Sequence, residues 1–293
     1  MAESPAHKFG QIIGDVLEVS IGPLLTQFAK EQNLFLDKKG PRPAREGKDV
    51  TWTDSFGNAH DLDYVLEKGG SPKKLGTPVA FIETAWRRYT KHSRNKAQEI
   101  QGAILPLAVT YQQAAPFVGV ILAGVFTEGA LAQLKSQGFT VLYFHYDTVI
   151  RAFQQAGLDA RFVQETPDAE IARKIRAWNR LSKKRRVSVA NSLVELNKEE
   201  VVKFMETLTR AVKRQIELIR VIPLHGKSFE WRSVNEAIAF IETYDEKDSV
   251  KPVMKYEIEI RYNNGDHIQA QFSDKESAIR FLHGYQPPRL QTT

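Results

Sequence analysis

Two acids at the ends of strand-like segments, followed by a dense run of bases, mark the stretch 58–99. Asp61 and Asp63 lead into Tyr64-Val65-Leu66, and the apolar run Val79-Ala80-Phe81-Ile82 ends in Glu83. Arg87, Arg88, Lys91, Arg94 and Lys96 follow, with Trp86 and Tyr89 interleaved and no acid from Arg87 to Lys96. Hydrolysis of a phosphodiester near neutral pH needs a nucleophilic water and charge stabilisation on the phosphoryl oxygens. Magnesium supplies both, and it takes hard oxygen ligands, usually one or two carboxylates plus water and substrate. Asp63 and Glu83 suit that role if their strands are neighbours. Asp61 and Asp63 would share a face of one strand; Asp63 is preferred because it directly precedes the apolar run. An Asp-x-Asp at a strand start also serves as a turn or edge feature, whereas a Glu after a buried run requires a partner.

The cationic run would hold backbone phosphates with a steep salt dependence, and its aromatics could stack on bases. Ser93 is expected to cap a helix whose N-terminus also favours anions. A second basic block, Arg180 to Arg186, reads either as a duplex-backbone contact or as a solvated face. Other chemistries are excluded or unsupported. The chain has no cysteine, which rules out disulfides, zinc–thiolate sites and thiol catalysis. There is no GxxxxGK[ST] loop and no Gly-x-Ser-x-Gly elbow. The seven histidines lack ligand spacing, and His145 at a strand end reads as structural.

These residues need elements to position them. Phe9 to Gln32 has helical apolar spacing, with Gln11, Asp15 and Glu18 near the other face and Pro23 expected to kink or divide it. Lys38 to Gly47 reads as a basic loop, and Asp49 to Leu66 as a hairpin turning at Asp54–Asn58. Val79 to Thr84 is expected as a doubly covered central strand. A helix from Ser93 to about Gln113, a strand at 117–123, a helix at 128–137, a strand at 141–144 and a helix at 146–156 follow. From Asp168 to about Ile222 two long helices are expected, with a stripe through Val201, Phe204, Met205, Leu208, Val212, Ile216 and Ile219. That stripe is core or a partner-helix face. A helix at 233–242, a hairpin turning at Asn263-Asn264-Gly265-Asp266 and a last helix through His283 complete the chain. No internal repeat is expected. The order indicates an α/β fold with a mixed sheet flanked by helices.

The length of 293 residues, 42% hydrophobic and 26% charged content describe an ordinary globular chain. Lys+Arg 41 against Asp+Glu 35 gives net +6, compatible with a polyanionic partner. The N-terminus lacks the apolar core of a signal peptide, no run approaches ~18 apolar residues, and a cytoplasmic protein without a membrane span is expected.

An opening helix with an acid, an Asp on a hairpin strand, Glu83 at the end of the next strand and a helix near Ser93 together resemble the PD-(D/E)XK nuclease superfamily. The resemblance covers roughly residues 9–145. It implies a restriction-endonuclease-like core over 1–160; beyond it the pattern of the chain itself reads as a helical region at 161–222 and a small α+β domain at 223–293. Asp63 would match the motif's Asp and Glu83 its second acid. The motif's Lys falls on Ala85, which can neither orient nor deprotonate water. The resemblance then implies a replacement from the following helix: Lys96 first, Arg88 and Lys91 next, with Glu99 adding an acid or orienting the Lys. Glu18 would complete the metal shell, and Arg87, Arg88, Lys91 and Arg94 would contact DNA. The implied activity is a magnesium-dependent, restriction-type DNA endonuclease, with a homodimer as the simplest geometry for cutting two strands. The rival is an inactive nuclease-fold DNA-binding or defence-complex subunit, with Ala85 as its sign; a protein-interaction module built on the helical stripe is a third class.

Overall fold

Apolar residues fill β6 (Phe117–Gly124) and positions 78–82 of the preceding strand β5 (Thr77–Arg87), so both faces of the sheet they form must be covered. The computed structural model describes residues 4–90, 93–224, 227–247, 253–263 and 265–286. It divides into two compact units, Met1–Val212 and Lys213–Thr293.

The first unit carries a five-stranded mixed sheet with β5 in the middle. Its strands are β1 (Leu34–Lys38), β4 (Tyr64–Lys68), β5, β6 and β7 (Thr140–His145), in that spatial order. β1 and β4 pair antiparallel, as do β4 and β5, while β5, β6 and β7 run parallel. β2 (Val50–Thr53) and β3 (Ala59–Leu62) form a separate two-stranded hairpin. On one face lie α1 (Pro5–Glu31), α4 (Tyr146–Gln155), α5 (Asp168–Arg180), α6 (Lys183–Leu196) and α7 (Lys198–Val212). The other face is covered by α2 (Ser93–Thr110), α3 (Glu128–Ser136) and the hairpin.

Several expectations change here. α1 starts at Pro5 because Ser4 accepts from His7 N at 3.2 Å and Pro5 fits a first helical turn. It runs unbroken through Pro23, with Ile21, Leu25 and Phe28 buried on either side of that residue. α1 is long and apolar enough to cross a membrane by composition, yet its stripe of Phe9, Ile13, Leu17, Ile21 and Leu25 lies in the core. The region 161–222 is not a separate helical body. It forms α5, α6 and α7, which pack on the first unit, and then a strand of the second. The stripe is split accordingly: Val201, Phe204 and Leu208 are buried in the first core, while Ile216 and Ile219 lie on a strand.

The loop after β1 was expected to be simply basic, but its arginines are internal. Arg42 lies 2.8 Å from Asp37, makes a two-point contact with Glu67 and donates to the carbonyls of Ser71 (2.8 Å) and Lys74 (2.9 Å). Arg45 donates to Asp37 at 3.0 Å. Asp37 and Glu67 are fully covered, so these arginines neutralise buried carboxylates and tie two loops to the sheet edge.

The second unit is an antiparallel sheet in the order β11-β10-β8-β9, built from β8 (Ile216–Ile222), β9 (Phe229–Trp231), β10 (Tyr256–Tyr262) and β11 (His267–Phe272). α8 (Val234–Thr243) and α9 (Lys275–His283) complete it. Contrary to expectation it is internally repeated: each half is a ββα unit. Trp231, Ser233, Ala237, Phe240 and Tyr244 recur at a spacing of 41 as Phe272, Asp274, Ala278, Phe281 and Tyr285. The ring pairs match as well, Phe240–Tyr244 at 5.1 Å and Phe281–Tyr285 at 5.0 Å.

Candidate active site

Asp63 occupies the bend between β3 and β4. Its neighbours Leu62 and Tyr64 are both buried, Leu62 in the core under α2 and Tyr64 in the core under α1. The chain therefore changes faces at Asp63, and the expected single strand 62–66 becomes two, pairing with different partners. Asp61 stays on the hairpin, where Thr51 Oγ1 donates to its carboxylate at 2.6 Å. Asp63 alone of the two reaches β5. Its Oδ2 accepts from both the backbone N–H and the hydroxyl of Thr84, each at 2.7 Å.

β4 and β5 are antiparallel neighbours with Tyr64 opposite Ile82, which brings Glu83 beside Asp63. The Asp63 charge acts directly on the Glu83 carboxyl. Glu83 is only 8% exposed. Burial pushes its carboxyl up to about 8; the Asp63 charge adds to this, while the Lys96 ammonium pulls the other way. Glu18, reaching in from α1, is also raised, first by partial burial and then by the charges of Asp63 and Asp15. Tyr64 donates its hydroxyl to the Glu18 carbonyl at 3.3 Å, linking α1 to β4.

A cleft of about 330 Å³ opens here. Glu18, Asp63, Thr84, Ala85, Arg87 and Lys96 are among its walls, and Glu83 is not. Lys96 sits in the first turn of α2 with its Nζ 3.5 Å from Glu99, and Arg87 Nη2 approaches the same carboxylate at 3.7 Å. Glu99 thus bridges the two cations. Ala85 is 6% exposed and packs in the α2-side core, so this wall has no functional group at the position where a Lys was sought. Gly124 lets β6 end under Arg87. It has φ +101°, and a Cβ there would lie 2.1 Å from the Arg87 carbonyl oxygen, against which Val125 N makes a 2.7 Å hydrogen bond.

The rest of the cationic run divides. Arg88 is structural: its Nε donates to the Phe162 carbonyl, and its guanidinium lies 4.1 Å from the Tyr146 ring centre. The reason is the segment after α4, which needs a donor and an aromatic-stacking cation to hold it. Trp86 packs against Tyr146 at the core periphery, with ring centres 6.1 Å apart, and also lines the cleft. Arg94 is exposed at the start of α2, where Ser93 is the first helical residue and donates to the Thr90 carbonyl at 2.7 Å. Lys91 lies outside the described residues. In the second basic block, Arg186 donates to the Asn179 carbonyl at 2.7 Å and faces the Trp178 ring. His145 stacks on Tyr143 at 4.3 Å, a structural contact.

Thr84 was missed by the sequence reading. Its signal was present: it sits between Glu83 and Ala85, where strand alternation turns it to the opposite face. Among the described residues no group of three or more His, Cys, Asp or Glu stands close enough to hold a metal by itself. The donor set is two neighbouring hard carboxylates, one lining an open cleft. That fits an ion which keeps water and substrate oxygens in its shell, as magnesium does, and not a closed protein cage.

No family model and no curated protein matches the chain. A solved structure, the crystal structure of a protein of unknown function, AF1548, is similar over 64% of this chain and 98% of its own, with 12% identity and a TM-score of 0.28. That likeness is too slight to support a conclusion about fold or activity.

Proposed function

We propose that the chain is a magnesium-dependent endonuclease that hydrolyses DNA phosphodiester bonds, of restriction type, with a restriction-endonuclease-like core in its first unit. The observation that carries the reading is the juxtaposition of Asp63 and Glu83 at the paired strands β4 and β5, with Asp63 lining a cleft that also presents Lys96 and Arg87. Acids that hold a hard cation and bases that hold a phosphate meet there. The order α1, β1, β4, β5, α2, β6 around that pair also supports it.

Asp63 and Glu83 would hold the ion, with Glu18 assisting from α1. The chemistry it supplies when bound is a lowered pKa for water and neutralisation of phosphoryl charge. Arg87 binds the phosphate. Lys96 orients the attacking water through its ammonium and stabilises charge building on the phosphoryl oxygens. Thr84 keeps the Asp63 carboxylate turned toward the cleft. Water's oxygen bonds to phosphorus as it releases a proton to solvent, the bond to the leaving sugar oxygen breaks, and that oxygen takes up a proton from solvent. Cutting both strands of a duplex is met most simply by a symmetric dimer, and the enzyme is read as cytoplasmic.

Ala85 favours a second reading, a DNA-binding or defence-complex subunit that keeps the fold without activity. A plasmid-nicking assay with and without magnesium separates the two. Wild type should nick only with magnesium. Asp63→Ala and Glu83→Ala should abolish nicking, and Lys96→Ala should reduce it ~100-fold or more. DNA binding without any nicking supports the second reading. Equal nicking by the acid variants and wild type removes the site assignment.

A further inference from the structure

The cleft beside Asp63 extends well past the acid pair. One long wall is the N-terminal half of α1, which contributes His7, Gly10, Gln11, Gly14 and Glu18, residues three or four apart over three turns of one face. The opposite face of the same turns, Phe9, Ile13 and Val16, is buried in the core, so the orientation of α1 is fixed. Across the cleft stand Trp86, Arg87 and Lys96. The cations thus come from the end of β5 and the start of α2, and hydrogen-bonding groups and an acid from α1. Gln11 Nε2 and His7 Nε2 are 3.3 Å apart, forming one hydrogen-bonding edge. A Cβ at Gly14 would meet nothing within 4 Å, and one at Gly10 would stand 3.6 Å from the Trp86 indole nitrogen. The volume, about 330 Å³, is within the ~300–1,000 Å³ of small-ligand pockets and exceeds what one phosphate group fills.

We propose that this cleft seats the DNA strand being cut: the nucleotide next to the scissile phosphate lies over Gly10 and Gly14, with Gln11 and His7 as its polar contacts. This rests on the phosphodiesterase reading above. A phosphodiester held at Asp63 carries a nucleoside on each side. The space continuous with Asp63 runs along α1, between a hydrogen-bonding wall that ends in Glu18 and a cationic one. A sugar–phosphate strand presents the same asymmetry, anionic oxygens on one side and base or sugar edges on the other. Glycine within a helix weakens it relative to alanine. At Gly14 no protein atom needs the space that the missing side chain leaves.

The test uses the full chain and a fluorescein-labelled DNA duplex, with affinity measured by anisotropy without divalent ion and plasmid nicking measured in magnesium. Gly14→Gln fills the cleft and should weaken duplex binding tenfold or more, with nicking falling in parallel. Gly14→Ala should raise Tm by about 2–4 °C, through helix propensity, while still reducing affinity. Gln11→Ala should weaken binding several-fold with Tm unchanged. Gly102→Gln on α2, where a Cβ also meets nothing within 4 Å and which does not line the cleft, should leave binding and nicking unchanged. Should Gly14→Gln fail to fold, Gly14→Ala and Gln11→Ala decide the matter. Wild-type binding and nicking by Gly14→Ala and Gln11→Ala, and by Gly14→Gln if folded, overturn the proposal and leave the acid site standing. Binding loss in these variants, combined with nicking that ignores Asp63→Ala, keeps the cleft as the DNA seat and removes the phosphodiesterase reading.

Discussion

Thr84 donates twice to one oxygen of Asp63, through its backbone N–H and its hydroxyl, each at 2.7 Å. One carboxylate oxygen is thereby committed to the protein, and the bend at Asp63 is pinned to β5. Groups that orient a ligand in this way commonly tune metal affinity 10–100-fold.

Replacing Thr84 with Val removes the hydroxyl donor and keeps the shape. Magnesium affinity, read by calorimetry, should fall about tenfold, and Thr84→Ser should restore it. Unchanged affinity in the Val variant would show that the backbone donor suffices.

Glu83 predicts a pH-dependent stability. Its folded pKa, about 8, lies above an unfolded value near 4.5, so the native state binds the extra proton between those limits. The stability from protonated Glu83 is fully present below about 4.5 and is lost as pH rises through 8. Without divalent ion, Tm should fall from pH 5.5 to 8.5, and Glu83→Gln should flatten that slope. Magnesium should raise Tm more at pH 8.5 than at pH 6, because binding must displace the proton. A slope unaltered by Glu83→Gln would assign the pH dependence to another group.

Arg87 and Arg88 are adjacent in sequence and should behave differently. Arg87→Ala should weaken DNA binding and reduce the slope of log affinity against log salt by roughly 0.9. Arg88→Ala should leave that slope alone and cost about 1–3 kcal/mol of stability, since Arg88 satisfies the Phe162 carbonyl and packs on Tyr146. Denaturant titration beside a salt series of binding curves measures both.

Arg42→Ala should be among the most damaging changes distant from the cleft. It strips a guanidinium from Asp37 and Glu67, which are 2% and 0% exposed, and breaking a buried pair of this kind costs about 3–5 kcal/mol. Arg42→Lys should recover little, because the planar fork serves Glu67 and two carbonyls together. Urea unfolding gives the numbers.

Local pattern carried much of this protein. The apolar run 79–82 marked the central strand, the hairpin 256–272 followed from its alternation and turn, and Asp63 stood before a strand, whereas Glu83 closes the apolar run but lies inside β5, which continues to Arg87. Periodicity failed where spacing was ambiguous. Ile216 and Ile219 continue a helical stripe on paper, yet the stretch is a strand because β10 pairs with it, Ile260 opposite Ile219. What the sequence by itself determined was which residues are acids, bases and apolar, and how they alternate. The tertiary structure decided which charges meet. Arg42 neutralises Glu67 across 25 residues, Arg88 reaches a carbonyl 74 residues on, and Thr84 finds Asp63 across 21. The reason is physical: a local window fixes the direction a side chain takes from its own strand or helix, but a charged group's partner is set by whichever distant segment the core packs against it.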